Sequence, residues 1–251
     1  MSVSTYVPRA VVIAAAAALL AACGSGSGPG PGSGGGSGQP TRATPSDAHS
    51  ALASWPCLAG VDATAVQLPG KPALTVATLG SGRRTVVLVN QSDQNLCSWL
   101  GYAKTLVGAG LRVVLYDYVT APADDLLRVS GYLRAHGTSV FAFVGASQGA
   151  KAAIIAAVTV HPRAVVSLSA ENALQGTAVA PYAARLTAPT LFVTSADDPY
   201  GATAATRGFD KAAPTKLKQL VVVPGAAHGT ALLADPAIAR EVTTFLDRYD
   251  R

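Results

Sequence analysis

Val140-Phe141-Ala142-Phe143-Val144-Gly145-Ala146-Ser147-Gln148-Gly149 lies in the middle of the chain, and the Ala-rich stretch Ala150 to Val158 follows it. A run of β-forming apolar residues meets Gly145-x-Ser147-x-Gly149 and gives way to a helix former. Strand, sharp turn and helix form the setting in which Gly-x-Ser-x-Gly presents a serine nucleophile. The turn demands strained backbone at the serine and glycines where a Cβ would collide. Ser147 then stands at the N-terminus of the following helix, which favours developing negative charge.

Two partners for Ser147 follow downstream. Pro189-Thr190-Leu191-Phe192-Val193-Thr194-Ser195 reads as a strand ending at Ala196-Asp197-Asp198-Pro199. Leu220-Val221-Val222-Val223 is another, ending at Pro224-Gly225-Ala226-Ala227-His228-Gly229. Both runs put an ionisable side chain just past a strand's C-terminal end, where open α/β sheets place their chemistry. A serine hydroxyl is a poor nucleophile until a neutral imidazole takes its proton. The imidazole in turn needs a carboxylate to fix its tautomer and stabilise its cation.

The order Ser, Asp, His and these three motifs resemble the α/β-hydrolase superfamily, over roughly Leu68 to Tyr249. The resemblance implies a mostly parallel, doubly wound sheet with helices on both faces. It makes Ser147 the nucleophile, His228 the general base and Asp198 the acid, because members often carry Asp-Pro at that turn; Asp197 is the alternative. An attacked ester becomes an oxyanion that two backbone N–H groups must meet. The resemblance assigns these to Gln148, after the nucleophile, and Ser92, with Gln91 next. Here the chain departs from the family: Asn90-Gln91 stands where many members have His-Gly, though the dienelactone-hydrolase-like branch accepts Gln. The short segment between Ser169 and Thr187 leaves no room for a large lid, so an open site with little or no cap is expected, which argues against a true lipase.

The rest of the chain reads as βα units. Strands are expected at Leu74 to Thr78, Thr85 to Val89, Leu111 to Tyr118 and Ala164 to Ser169. Helices are expected at Trp99 to Ala109, Asp124 to Ala135, Thr203 to Ala213 and Pro236 to Tyr249. Glu171-Asn172, just beyond a strand end, are candidates to line the pocket. Asp117 reads as a turn cap, His136 as a helix C-terminal residue, and His49 and His161 as solvated side chains.

The N-terminus carries a different signal. Residues Ala10 to Ala22 are almost wholly apolar, follow Arg9 and end Leu20-Ala21-Ala22-Cys23-Gly24. The run is short for a membrane span, which needs about 20 residues, and suits a signal-peptide core. Leu-Ala-Ala-Cys resembles the bacterial lipobox. Residues 1–22 are therefore expected to be a lipoprotein signal peptide, with Cys23 the lipid-bearing residue after cleavage. The alternative is an ordinary secretory signal. Residues 23–50 are rich in Gly, Ser and Pro and read as a flexible tether, leaving 51–251 as the α/β-hydrolase domain. These features imply a protein held on the extracytoplasmic face of a bacterial membrane.

Composition narrows the choice further. The chain has 251 residues, and the roughly 200 beyond the tether suffice for one α/β domain. Nineteen basic and 14 acidic residues give a net charge of +5. They form no dense basic run, so nucleic acid is not an expected partner. With Cys23 assigned to lipid, Cys57 and Cys97 form an even pair in an exported protein and are expected to bridge, two separate thiols being the alternative. No His, Cys, Asp or Glu cluster has metal-ligand spacing, so neither metal nor cofactor is implied. A monomer acting on a small-molecule or surface ester is expected, with thioesters and amides open to the same machinery. A catalytically silent binding lipoprotein and a cell-wall peptidase are the competing readings.

Overall fold

The computed structural model describes residues 52, 54–138 and 140–249. Cys23, the signal-peptide and tether segments and His49 lie outside the described residues. The described part is an eight-stranded sheet with strand order β1-β2-β4-β3-β5-β6-β9-β10. Its strands are β1 (Ala63–Leu68), β2 (Leu74–Leu79), β3 (Thr85–Val89), β4 (Arg112–Tyr116), β5 (Phe141–Ala146), β6 (Val165–Leu168), β9 (Thr190–Ser195) and β10 (Lys218–Val223). β1 pairs antiparallel with β2, and β2 antiparallel with β4. All other neighbours in the sheet are parallel.

Five helices cover this sheet: α1 (Leu100–Gly108), α2 (Pro122–Ala135), α3 (Gln148–Val160), α5 (Ala202–Ala212) and α6 (Pro236–Tyr249). The central strands are apolar on both faces, as a sheet covered on both sides requires. Val87, Val89, Phe141 and Phe143 face one core, with Leu126 and Val129 of α2, Ile154 of α3 and Phe209 of α5. The intervening Val86, Leu88, Ala142 and Val144 face the other, with Leu106 of α1 and Val242 and Phe245 of α6. The two-residue period of a strand thus divides one continuous apolar run between two helical layers. This is the doubly wound architecture expected from the sequence.

β1 is the element missing from the sequence reading. Ala63-Thr64-Ala65-Val66-Gln67-Leu68 buries only Ala65 and Leu68. That is too little apolar signal for a strand which gains its order by pairing with all six residues of β2. Between β6 and β9 the chain makes only the two-residue strands β7 (Ala173–Leu174) and β8 (Thr177–Ala178) and the short α4 (Ala180–Ala183). The resulting cover is small, as expected.

Sequence order reverses around β3, which lies between β4 and β5. At such a switch point the loops leaving adjacent strands diverge and leave a crevice. The loop after β3 and the turn after β5 therefore emerge side by side, with Val89 paired to Gly145. Cys57 and Cys97 are joined by a disulfide, their Cα atoms 5.8 Å apart. It ties the segment before β1 to the end of the β3 loop. Removing the loop entropy of such a closure stabilises the fold by roughly 3–4 kcal/mol in the chain-entropy model.

Candidate active site

Ser147 sits between β5 and α3 with φ 48° and ψ −112°, far from either helix or strand geometry. The close approach of three backbones enforces this. A Cβ on Gly145 would lie 2.2 Å from the Gly149 carbonyl oxygen, and one on Gly149 would lie 2.1 Å from that of Val89. Neither contact is tolerable, so both flanking positions exclude any side chain. The Ser147 N–H donates to the Leu168 carbonyl at 2.8 Å, tying the turn to β6. Strain of this kind costs about 1–3 kcal/mol and holds the hydroxyl at the rim of the sheet.

The loops after β9 and β10 bring Asp198 and His228 together. Asp198 places both carboxylate oxygens against His228 Nδ1, at 3.0 and 2.8 Å. Its side chain is fully buried there. Asp197 is exposed, so of the two neighbours it is Asp198 that faces the imidazole. Backbone bonds hold the loops in register: Ala196 N–H donates to Val223 O at 2.7 Å and Asp197 N–H to Gly225 O at 2.9 Å. The Ser195 hydroxyl adds a bond to Ala227 O at 2.7 Å. With a carboxylate on Nδ1, the neutral imidazole carries its proton there and leaves Nε2 as an acceptor.

Ser147 itself bonds elsewhere. Its Oγ donates to Glu171 Oε1 at 3.0 Å. The same oxygen lies 3.6 Å from His228 Nε2, so the carboxylate stands beside both Ser147 and His228. Glu171 Oε2 is 2.6 Å from Lys151 Nζ, and both side chains are largely buried. Lys151 lies four residues after Ser147, on the same side of α3. Glu171 thus lines the pocket, as its position past a strand end suggested; Asn172 does not.

The β3 loop carries Gln91, Ser92 and Asp93 into the same pocket. Asn90 is buried and donates from Nδ2 to Tyr116 O at 2.9 Å and to Asp117 Oδ1 at 2.7 Å. Asp117 also accepts from Trp55 Nε1 and from the Leu96 N–H, each at 2.6 Å. It therefore fastens both ends of the β3 loop to β4 and to the N-terminal arm, a larger role than the turn cap read from sequence. The Tyr118 hydroxyl donates to Asn90 O. Burial first, and then the neighbouring Asp125 and Asp117 carboxylates, push its phenol well above the ordinary tyrosine range.

Gln91, the departure from His-Gly, has no left-handed backbone to accommodate. The positive φ in this loop belongs to Asp93, at 60°. The Gln91 side chain reaches across to the histidine loop, where Oε1 accepts from Thr230 N–H at 2.9 Å and from its hydroxyl at 3.2 Å. The β3 loop and the histidine loop are thus joined by an amide. Of the two expected oxyanion donors, Gln148 opens α3, where the first N–H groups lack an intrahelical acceptor. Ser92 lies on the pocket wall beside Ser147.

Together, Gln91, Ser92, Asp93, Ser147, Glu171, Tyr200 and His228 enclose a cavity of about 170 Å³. Tyr200 packs its ring against His228, with centroids 4.4 Å apart. Among the described residues, no group of three or more His, Cys, Asp or Glu side chains is placed to hold a metal ion. The arrangement can deliver a polarised hydroxyl, accept its proton at Nε2 and return it to a leaving group.

No protein-family model matches the sequence, and no curated protein matches it either. Solved structures do. The dienelactone hydrolase of Anabaena variabilis is 23% identical, with a TM-score of 0.60 over 76% of this chain and 99% of that one. An esterase from Pyrococcus furiosus is 14% identical, with a TM-score of 0.65 over 84% and 95%. A monoacylglycerol lipase from Paleococcus ferrophilus is 16% identical, with a TM-score of 0.61 over 69% and 98%. At these identities the shared property is the architecture: the chain has the α/β-hydrolase fold.

Proposed function

We propose that this protein is a serine hydrolase that cleaves small carboxylic esters, with thioesters and amides open to the same chemistry. The observation that carries this reading is the buried Asp198 carboxylate on Nδ1 of His228, beside Ser147 at its strained turn. A structural histidine needs none of this arrangement.

In the proposed cycle, an entering ester displaces the Glu171 carboxylate from the Ser147 hydroxyl. Ser147 Oγ attacks the carbonyl carbon while His228 Nε2 takes its proton, and Asp198 stabilises the imidazolium. The carbonyl oxygen becomes an oxyanion facing the backbone N–H groups of Gln148 and Ser92. His228 then gives its proton to the departing alkoxide, leaving an acyl-serine. Water enters, loses a proton to His228 and attacks the ester; as the tetrahedral intermediate collapses, His228 returns that proton to Ser147. The acid leaves and the enzyme is restored. The small cavity and slight cover suit short acyl groups.

The second reading is a catalytically silent binding protein, and one observation favours it: Ser147 donates to Glu171 and not to His228. Hydrolysis of p-nitrophenyl acetate separates the two. The hydrolase reading expects turnover that Ser147→Ala reduces at least 10³-fold. A wild-type rate equal to that of Ser147→Ala supports the binding reading.

The proposed location is the extracytoplasmic face of a bacterial membrane, with lipid on Cys23 and residues 23–50 as the tether. Two or more acyl chains hold a protein through salt washing, because their attachment is hydrophobic. Wild-type protein is expected in the detergent phase and Cys23→Ser in the aqueous phase, with esterase activity retained. A soluble wild-type protein without lipid mass contradicts the anchor.

A further inference from the structure

The pocket has an unbalanced charge that the catalytic reading leaves unused. Two of its seven lining residues are carboxylates, Asp93 and Glu171, and neither Lys nor Arg lines it. Glu171 is neutralised by Lys151 at 2.6 Å. Asp93 is different. It is held on the pocket wall by a left-handed turn with φ 60°, which non-glycine residues adopt at some cost. Among the described residues its carboxylate has no ion-pair or hydrogen-bond partner. Asp93 is therefore, among the described residues, the one acidic residue lining the cavity whose charge no neighbouring group compensates.

Tyr200 adds an aromatic surface. It is 67% exposed, an unusual state for a large ring, and lines the same cavity while packing on His228. The face of an aromatic ring attracts a cation, most effectively an ammonium too weakly hydrated to prefer water. An unpaired carboxylate and an exposed tyrosine on the wall of one cavity of about 170 Å³ are complementary to a small organic cation. They are unfavourable to an anion, which would meet Asp93 without any compensating lysine or arginine.

We infer that this pocket selects small esters bearing a positive charge, an ammonium or quaternary ammonium group, with Asp93 and Tyr200 as the specificity-determining residues. The inference rests on the proposed esterase reading of Ser147 and extends it to the class of substrate. One charge pair in a partly solvated site changes binding by roughly tenfold. That difference falls with ionic strength, because Asp93 is exposed to solvent.

The test compares kcat/KM for acetylcholine with that for neohexyl acetate, its uncharged carbon isostere. The pair has one shape, so packing contributes equally and the ratio reads the charge alone. Wild-type protein is expected to favour acetylcholine about tenfold at low salt, and less at high salt. Asp93→Asn is expected to bring the ratio near one, while Asp93→Glu retains most of it. Tyr200→Leu is expected to lower it about threefold. Equal kcat/KM for the two esters, or a preference that Asp93→Asn leaves intact, overturns the inference and spares the esterase reading. No Ser147-dependent hydrolysis of either ester overturns the inference, and turnover of p-nitrophenyl acetate then decides the esterase reading.

Discussion

The two halves of the site are built in opposite ways. On the base side, Asp198 and His228 meet through loops laced together by backbone hydrogen bonds, and the carboxylate is completely buried. On the nucleophile side, Ser147 is fixed by its backbone, but its hydroxyl answers to Glu171, which in turn answers to Lys151. The first half is a carboxylate–imidazole pair already in contact. The second holds the Ser147 hydroxyl on Glu171, a contact that the proposed mechanism requires substrate to replace. Under the proposed mechanism, preorganisation therefore resides in His228 and Asp198, while the hydrogen bond of Ser147 remains to be redirected.

The largest expected effect comes from breaking the rigid half. Asp198→Asn leaves the shape intact but cannot hold the proton of His228 on Nδ1, so ester turnover should fall by about 10³-fold or more. Asp197→Asn, at an exposed position, should cost less than about threefold. Steady-state kinetics on p-nitrophenyl acetate reads both. Equal losses would remove the distinction between the two carboxylates.

The adjustable half is sharpened by a thermodynamic cycle. Lys151→Met strands the Glu171 carboxylate in a largely buried position and should lower unfolding free energy by about 2 kcal/mol, below the range for fully buried pairs. Adding Glu171→Gln should recover most of that loss. Urea unfolding of the two single variants and the double variant gives the coupling directly. Strictly additive losses would mean that the 2.6 Å pair is energetically idle.

The same division explains how much was legible in the sequence. Ser147 and His228 were legible because each lies just past a run of apolar β-formers at a glycine-marked turn, and around Ser147 those glycines admit no Cβ. The doubly wound core was legible because the central strands carry apolar runs, Val86 to Val89 and Phe141 to Val144, that fill both faces. Asp198 was preferred to Asp197 only through family resemblance; what separates them physically is burial, which a sequence does not display. Glu171 was visible as a residue past a strand end, but its bond to Ser147 spans 24 residues and depends on a side-chain rotamer. Lys151 gave no signal, since a lysine inside an Ala-rich helix reads as solvated surface. Gln91 looked like a defect in a glycine position until its amide was seen to bridge to Thr230. Residues defined by local backbone rules announced themselves. Those defined by a distant partner did not.

The central claim is that Ser147 is a nucleophile activated by His228, despite resting against Glu171. Reaction of the purified protein with a fluorophosphonate, followed by peptide mass spectrometry, tests it most directly. One covalent adduct is expected, on Ser147, formed at least 10²-fold more slowly in His228→Ala. An adduct on a different serine, or labelling of Ser147 at an undiminished rate without His228, would contradict it.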